Sequence, residues 1–552
     1  MKRLMLFIAA LAICHTAVFP QGCLPEGITF TTQEQIDNFQ TDYPGCTQIW
    51  GHVIIRGNNI TNLNGLSVLT SIGGYLDIRL NYYLTSLTGL DNLASIGGYL
   101  DIYYNPALTS LMGLGNLSSI GEYLEIYDNH VLTSLTGLDN LGFVGGNIKI
   151  WHNYALTSLT GLDNLSSIGG LNIALNSALT NLTGLENLAS IGGMLKIYHE
   201  DALASLTGLE GITSIGGYVS IGGNDALTSL SGLENITSIG SNLEIYGNDA
   251  LTSLTGLENL TSIGGNLYIG VNNALNNLTG LDNLGFVGGK LEIWQNYALT
   301  SLMGLENLAS IGGGGYIVGT SLTSLTGLDN LTSIGDYLYI VYNFDLTSLT
   351  GLEGINSIGG YLSIEANYAL TSLTGLENLT SIGGYLSIEG NHAMTSLTGL
   401  DNIAANSITN LLILDNSSLS TCEVQSICDY LAVPNGTFTI ENNAPGCNDV
   451  IEVIIACETV GIDEAVAGSD FSIFPNPFTG QLSIEFNLPQ TTMVSIQIFN
   501  AMSAKVAELH YGQLPAGQQQ FTWHAGHLPR GVYLCRVQVG EQTRTQKIIK
   551  VQ

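Results

Sequence analysis

"LTSLTGLDNLASIGGYLDIYYNPA" occupies residues 84–107, and close copies of it run through most of the 552-residue chain. Aligned on the residue that follows each L-x-I segment, the copies place Asn81, Asn105, Asn129, Asn153, Asn176, Glu200, Asn224, Asn248, Asn272 and Asn296 in one column, continued by Thr320, Asn343, Asn367, Asn391 and Asn416. The spacing is 24, apart from two steps of 23 and a last step of 25. Such a period marks a solenoid, in which each unit buries its apolar face against its neighbours. Within one unit three apolar clusters recur: Leu84/Leu87/Leu90, Leu93/Ile96 and Leu100/Ile102. Gly89, Gly97, Gly98 and Asn105 separate them. "YLDIY" alternates with period two, which reads as a half-buried strand with Leu100 and Ile102 inward. No cluster sustains helical spacing, and the glycines weaken any helix further. The predicted fold class is all-β: a three-sided β-solenoid of about fifteen repeats over residues 51–416.

Solenoid ends need covers. Before the repeats, "FTTQEQIDNFQTDYP" offers Thr31 with Glu34 as a capping box, then Ile36, Phe39 and Tyr43 on one helical face. After them, "SLSTCEVQSICDYLAVP" offers Ser420 with Glu423, then Val424, Ile427, Cys428 and Leu431 at helical spacing. Short helical caps are therefore expected in 23–50 and 417–460. Both segments carry cysteines: Cys23 and Cys46 before, Cys422, Cys428, Cys447 and Cys457 after. An even set without a Cys-x-x-Cys pair favours disulfides formed in an oxidising compartment over zinc. Cys23–Cys46 is the expected first pair; the second group leaves three connectivities open.

The chain opens with "MKRLMLFIAALAICHTA", two positive charges before an apolar run over 4–14. That run is too short to span a bilayer and reads as a secretory signal peptide within residues 1–22. No later segment has the apolar length of a transmembrane helix. The net charge is −32, with 13 Lys and Arg against 45 Asp and Glu. Only Arg56, Arg79, Lys149, Lys196 and Lys290 supply cations to the middle of the chain. Nucleic acid and anionic membrane surfaces are thereby disfavoured as partners.

The "L-x-I-x-x-N" pattern resembles the strand and asparagine turn of the receptor L-domain and its leucine-rich-repeat relatives, over about residues 50–416. "IGGYLDI" sits one residue out of register with the usual lead-in of those repeats, and a horseshoe with short 3₁₀ segments is the alternative coil. Beyond a linker at 461–469, residues 470–552 change character, with short alternating strands and Pro/Gly turns that predict a small Ig-like β-sandwich. This segment resembles the type IX secretion sorting domain of Bacteroidota. The residues that carry the likeness are "FPNP" (Phe474, Pro475, Asn476, Pro477), "LPAG" at 514–517, "LPRGVY" with Gly531 and Tyr533, and the closing "KIIK" from Lys547. The resemblance implies that the type IX secretion machinery is a partner and that the chain is displayed at the cell surface or released. It also implies that the lone Cys535 leaves with the sorting domain.

For chemistry, the best enzyme candidates are Lys149, Trp151 and His152 on one coil, with Lys196, His199 and Glu200 two coils later. A polysaccharide-active β-helix enzyme is the alternative they support. Phosphate loops, nucleophile elbows and His-Glu-x-x-His motifs are absent, so no catalytic residue and no cofactor is assigned. Two outward ladders carry the binding reading. Tyr75, Tyr99 and Tyr123 form one aromatic row, resumed by Tyr337, Tyr361 and Tyr385; Tyr103, Tyr127, Trp151, Tyr198, Tyr246 and Trp294 form another. Asp77, Asp101, Glu125, Glu244 and Glu292 run between them. The ligand-binding residues expected from this are Tyr99, Tyr103, Tyr123, Tyr127, Trp151, Tyr198, Tyr246 and Trp294, facing a glycan or a cell-surface protein. Aromatic packing across coils would explain the same rows without a ligand. The second ladder is the acid of "GL[DE]N", from Asp91 to Asp401, which could recruit Ca²⁺ weakly. The reading reached is a non-enzymatic repeat protein for binding or adhesion. A structural surface spacer is the third possibility.

Overall fold

The computed structural model describes residues 22–460, 471–500, 504–540 and 542–551. The expected signal peptide, Gly22 excepted, and the expected 461–469 linker therefore lie outside the described residues. The chain divides into two compact units, residues 1–265 with 271–273, and residues 266–270 with 274–552.

In the first unit each repeat makes one coil. Its longer strand, such as Leu100–Tyr103, pairs in parallel and in register with the same strand of the next coil: Leu100 faces Leu124 and Ile102 faces Ile126. A two-residue strand, such as Ser95–Ile96, pairs with Ser119–Ile120 in the same way. All three expected apolar clusters point inward; Leu84, Leu87, Leu93, Leu100 and Ile102 are fully buried. The third side of the predicted three-sided coil is not a strand. Leu90 donates its N–H to the carbonyl of Leu87, and Leu93 to that of Leu90, so the side is made of consecutive tight turns. Leucines three apart then fall on one inner edge, close to the 3₁₀ alternative.

Those turns explain "GL[DE]N". Gly89 has φ +112°, and a Cβ there would stand 2.2 Å from the Leu63 carbonyl carbon of the preceding coil, so glycine is required. The Asp91 carboxylate accepts the Gly89 N–H at 2.8 Å, and Asp139 and Asp163 do the same for Gly137 and Gly161. The following asparagine reaches across coils, Asn116 donating to the Asp91 carbonyl. The acids expected to recruit cations thus each hold a turn amide.

The asparagine column is fully buried. Asn129 Oδ1 accepts from both the backbone N–H and Nδ2 of Asn105, each at 3.2 Å. Its own Nδ2 donates to the Ile102 and Tyr127 carbonyls at 2.9 and 3.0 Å. One side chain therefore satisfies backbone groups of two coils where the chain turns out of its strand. The residue before it is left-handed throughout, as at Tyr104, Asp128 and His152 (φ +53°, +55° and +56°).

Glu200 is the exception in the first unit's column. Its carboxyl accepts the Asn176 N–H at 3.1 Å and Asn176 Nδ2 at 2.9 Å. Burial pushes its pKa up to about 8, the Asn176 hydrogen bonds opposing that rise. The second unit repeats the pattern: Asn343 and Asn367 each bond the next residue of the column, and Thr320 Oγ1 donates to Asn343 Oδ1 at 2.7 Å.

Both ends run past the predicted 51–416 span. Ile28–Phe30 pairs with Val53–Ile55, and Phe438–Glu441 with Leu411–Leu414, Asn443 continuing the column. The N-terminal cap is two short helices, Gln33–Asp37 and Phe39–Asp42. Its capping box is Thr32 with Gln35, one residue beyond the expected Thr31 and Glu34; Ile36 and Phe39 are buried, while Tyr43 is exposed. At the other end the helix Gln425–Ala432 starts from Val424 with no side-chain cap, so the Ser420–Glu423 box does not form. Glu423 instead accepts the Cys422 N–H. A second helix there, Val450–Val460, has its first amides held by Asp449, a signal the repeat-centred reading passed over. The disulfides are Cys23–Cys46, Cys422–Cys447 and Cys428–Cys457.

The C-terminal module has two antiparallel sheets. One contains Phe471–Phe474, Gln481–Leu488 and Gly517–His524, the other Lys505–Leu514, Thr492–Asn500, Gly531–Val539 and Gln542–Lys550. Phe478, Ile484, Ile496, Trp523, Cys535 and Ile548 share its core. Burial pushes the Cys535 thiol up to about 12, so it is unreactive while folded.

Asn129→Ala should cost about 3 kcal/mol or more, because it strands donors and acceptors in two coils. Asn116→Ala, on the exposed side, should cost less than about 1 kcal/mol; urea denaturation compares them. The sign for Glu200 follows from linkage: a carboxyl whose folded pKa exceeds its unfolded one loses stability as pH rises from about 4.5 to about 8. Glu200→Asn should therefore raise the melting temperature more at pH 8 than at pH 5.

Candidate functional site

The longer strands of the first unit set two aromatic rows on either side of a carboxylate row. Tyr75, Tyr99 and Tyr123 stack face to face, with ring centroids 4.4 and 4.6 Å apart and His52 continuing the stack at 4.8 Å. Tyr103, Tyr127 and Trp151 stack at 4.5 and 4.4 Å. In-register parallel strands produce this directly, since identical positions recur one strand spacing apart.

Asp77, Asp101 and Glu125 are direct cross-strand neighbours between the rows. Arg79 pairs with Asp77 at 3.0 Å and also donates to the Tyr103 hydroxyl. Lys149 pairs with Glu125 at 2.5 Å. Oδ1 of both Asp77 and Asp101 is buried without a hydrogen-bond partner. Burial is the main cause of the raised Asp101 pKa, about 7; Glu125 and Asp77 add to it, and Lys149 and Arg79 oppose it. Asp77 is raised by the same burial, against the pull of Arg79 and Arg56.

The expected residues do not all come together. Ala174 stands between Trp151 and Tyr198, and Gly222 between Tyr198 and Tyr246, so the second row breaks after Trp151. Tyr198 instead makes an edge contact with His199, centroids 5.8 Å apart. In the second unit Trp294 lies between Gly270 and Val318. There Tyr337, Tyr361 and Tyr385 stack at 5.1 and 4.5 Å, and the Tyr385 hydroxyl meets that of Tyr339 at 2.9 Å. Glu244 and Glu292 face Ser220 and Tyr316 across their strands rather than other acids.

The enzyme candidates do not converge. Lys149 is held by Glu125, His152 Nδ1 lies 3.3 Å from Asp128, and Lys196 sits over the Tyr218 ring. Glu200 is fully buried. Among the described residues no group of three or more His, Cys, Asp or Glu is placed to hold a metal ion.

Aromatic residues at the corner beside the second row escaped the sequence reading. Tyr104 and Tyr154 are exposed; Tyr154 stacks on His130 at 4.8 Å, and Tyr104 contacts Tyr103 edge-on at 6.2 Å. Their positions flank the column asparagines, where side chains must point outward, which was the available signal.

In the sorting module the carried-over motifs meet. Asn476 Nδ2 donates to the Lys547 carbonyl at 3.0 Å, and its Oδ1 accepts the Ile549 N–H at 2.8 Å. Pro475 and Pro477 flank that clamp in cis peptide bonds. Gly531 pairs with Lys550, and the Tyr533 hydroxyl donates to the Pro529 carbonyl at 2.8 Å.

This geometry defines a repeat scaffold with an appended targeting module. Family comparison agrees: residues 45–112 match the receptor L domain, and 145–275 and 290–410 match the BspA type leucine rich repeat region. Residues 472–551 match the secretion system C-terminal sorting domain. The chain is thus a β-solenoid, with segments that match the receptor L domain and leucine-rich repeats, that carries a type IX secretion sorting domain, which marks it for the extracellular space or cell surface. None of the curated proteins compared matches it. No helix among the described residues is long and apolar enough to cross a membrane.

Asp101→Asn should stabilise the protein more at pH 8 than at pH 5, because the raised carboxyl costs folding stability as pH climbs from about 4 through about 7. Thermal melts of the variant and parent at both pH values check this.

Proposed function

We infer that this is a non-enzymatic, surface-displayed binding protein, and that the aromatic and acidic face of its first unit engages a protein partner. The observation that carries this reading is the stacking itself. Ring faces in the two rows lie against one another, whereas a sugar ring would need them open. What remains outward is a set of ring edges, phenol hydroxyls and the corner rings of Tyr104 and Tyr154, beside Arg79, Lys149 and the carboxylates. Tyr, Trp and Arg around a rigid, pre-ordered surface are the composition of protein hot spots, and rigid side chains lose little entropy on docking. The matched repeat families are typically non-enzymatic scaffolds, and the separate pairing of Lys149, His152 and Lys196 agrees with that.

The test is an array of extracellular and cell-surface proteins probed with the secreted chain. At least one partner should bind, and Tyr104→Ser with Tyr154→Ser should weaken it about tenfold or more, without changing the melting temperature. Adding Trp151→Ser should weaken it further. Absence of any partner, or equal binding by the variants, would leave a spacer as the better account.

A further inference from the structure

The side of the first coils that adjoins the long strands, just before each Gly73–Tyr75 or Gly97–Tyr99 corner, carries a second feature built from other residues than the tyrosine rows. The short strands Gln48–Ile49, Ser71–Ile72, Ser95–Ile96, Ser119–Ile120 and Phe143–Val144 pair in that order. Over them lies an open trough of about 470 Å³. Trp50 closes one end and Phe143 the other, four strand spacings or about 19 Å apart.

Both rings stand largely in solvent. Phe143 occupies the column that holds Ser71, Ser95 and Ser119, and it is 54% exposed although serine suffices for folding in the three preceding coils. Trp50 rests so closely on Gly22 that a Cβ there would overlap the indole, yet Trp50 stays 59% exposed. Among the described residues neither ring stacks on another aromatic ring, unlike the tyrosines of the long strands. Leaving two large apolar side chains in water forgoes burial energy, and both line the same trough.

The floor between them has a definite chemistry. The hydroxyls of Ser71, Ser95 and Ser119 are half-buried and make no side-chain hydrogen bond within the described residues. The remaining lining is Gln48, isoleucine edges and glycine backbone, with no charged side chain, on a chain of net charge −32.

We propose that this trough binds a neutral oligosaccharide laid across the short strands, one sugar on Trp50, one on Phe143, and the intervening rings over the serine hydroxyls. Sugar C–H faces carry partial positive charge and suit the negative face of an aromatic ring, while their hydroxyls pair with the free serine oxygens. Few polar groups fixed between apolar walls is the usual make-up of a small-ligand site. A polyanionic glycan would meet the acidic chain without a compensating cation in the trough. The site is distinct from the protein-binding face and does not rest on it.

Calorimetric titration of the full secreted chain with cellohexaose, laminarihexaose and mannohexaose, and with hexagalacturonate as the charged probe, tests this. At least one neutral hexasaccharide should bind and hexagalacturonate should not. Phe143→Ser, which installs the repeat's own residue, and Trp50→Ala should each weaken binding about tenfold. Ser95→Glu, which puts a charge on the floor, should abolish it, while Tyr104→Ser with Tyr154→Ser should leave it unchanged. The proposal is overturned if none of the three neutral sugars binds, if hexagalacturonate binds as well as they do, or if the Trp50→Ala, Phe143→Ser double variant keeps parental affinity.

Discussion

All but two of the repeat coils turn out of their long strand through a buried asparagine amide that bonds the neighbouring coils, with Glu200 and Thr320 in its place in the other two, and the rest of the architecture follows from keeping that column in register. Asn105, Asn129 and Asn153 satisfy corner carbonyls and amides that no strand partner can reach. An unpaired buried peptide group costs several times what a typical hydrogen bond contributes. A coil shifted by even one residue would strand those groups and turn Leu and Ile outward together. Period 24 is therefore held at the corner, while the leucines supply burial without much selectivity between neighbouring registers.

Register in turn dictates the surface. Whatever residue occupies an outward position is repeated one strand spacing away, so like meets like. For tyrosine this produces stacked rings; for Asp77, Asp101 and Glu125 it produces mutual repulsion, relieved by Arg79, by Lys149 and by the raised pKa of Asp101. Function on such a scaffold has to come from departures from the repeat. Trp151 ends a tyrosine row, Phe143 replaces a serine, and Trp50 precedes the first full coil. The two faces differ in whether their aromatic rings face each other or face solvent, and that difference assigns them different classes of ligand.

The solenoid, the inward Leu and Ile positions, the Cys23–Cys46 bond and the sorting module were legible in the sequence because each rests on periodicity, pairing by nearness or a specific motif. The turn-built third side was not, because Leu87, Leu90 and Leu93 have the same spacing whether the backbone between them is extended or tightly turned. Glu200 was grouped with Lys196 and His199 as an enzyme candidate although it stands in the asparagine column, and that column is buried. The corner tyrosines and the Trp50–Phe143 trough were missed for a related reason: alternation within a strand says which side chains leave the core, but not which of them are covered by a neighbouring coil. The acids of "GL[DE]N" looked like a charge ladder until the left-handed glycine two residues earlier showed what they bond.

The central claim is that coils stack as interchangeable units locked by the buried amide column. Deleting residues 201–224, one whole period, joins Glu200 to Asp225 and leaves every column in register; deleting 201–220 removes nearly as much chain but breaks the columns. Circular dichroism and thermal melting of the two deletions compare them directly. A folded β-rich protein with a near-parental transition for the first, and loss of cooperative unfolding for the second, is the predicted result. Equal tolerance of both deletions, or collapse of both, would contradict the account.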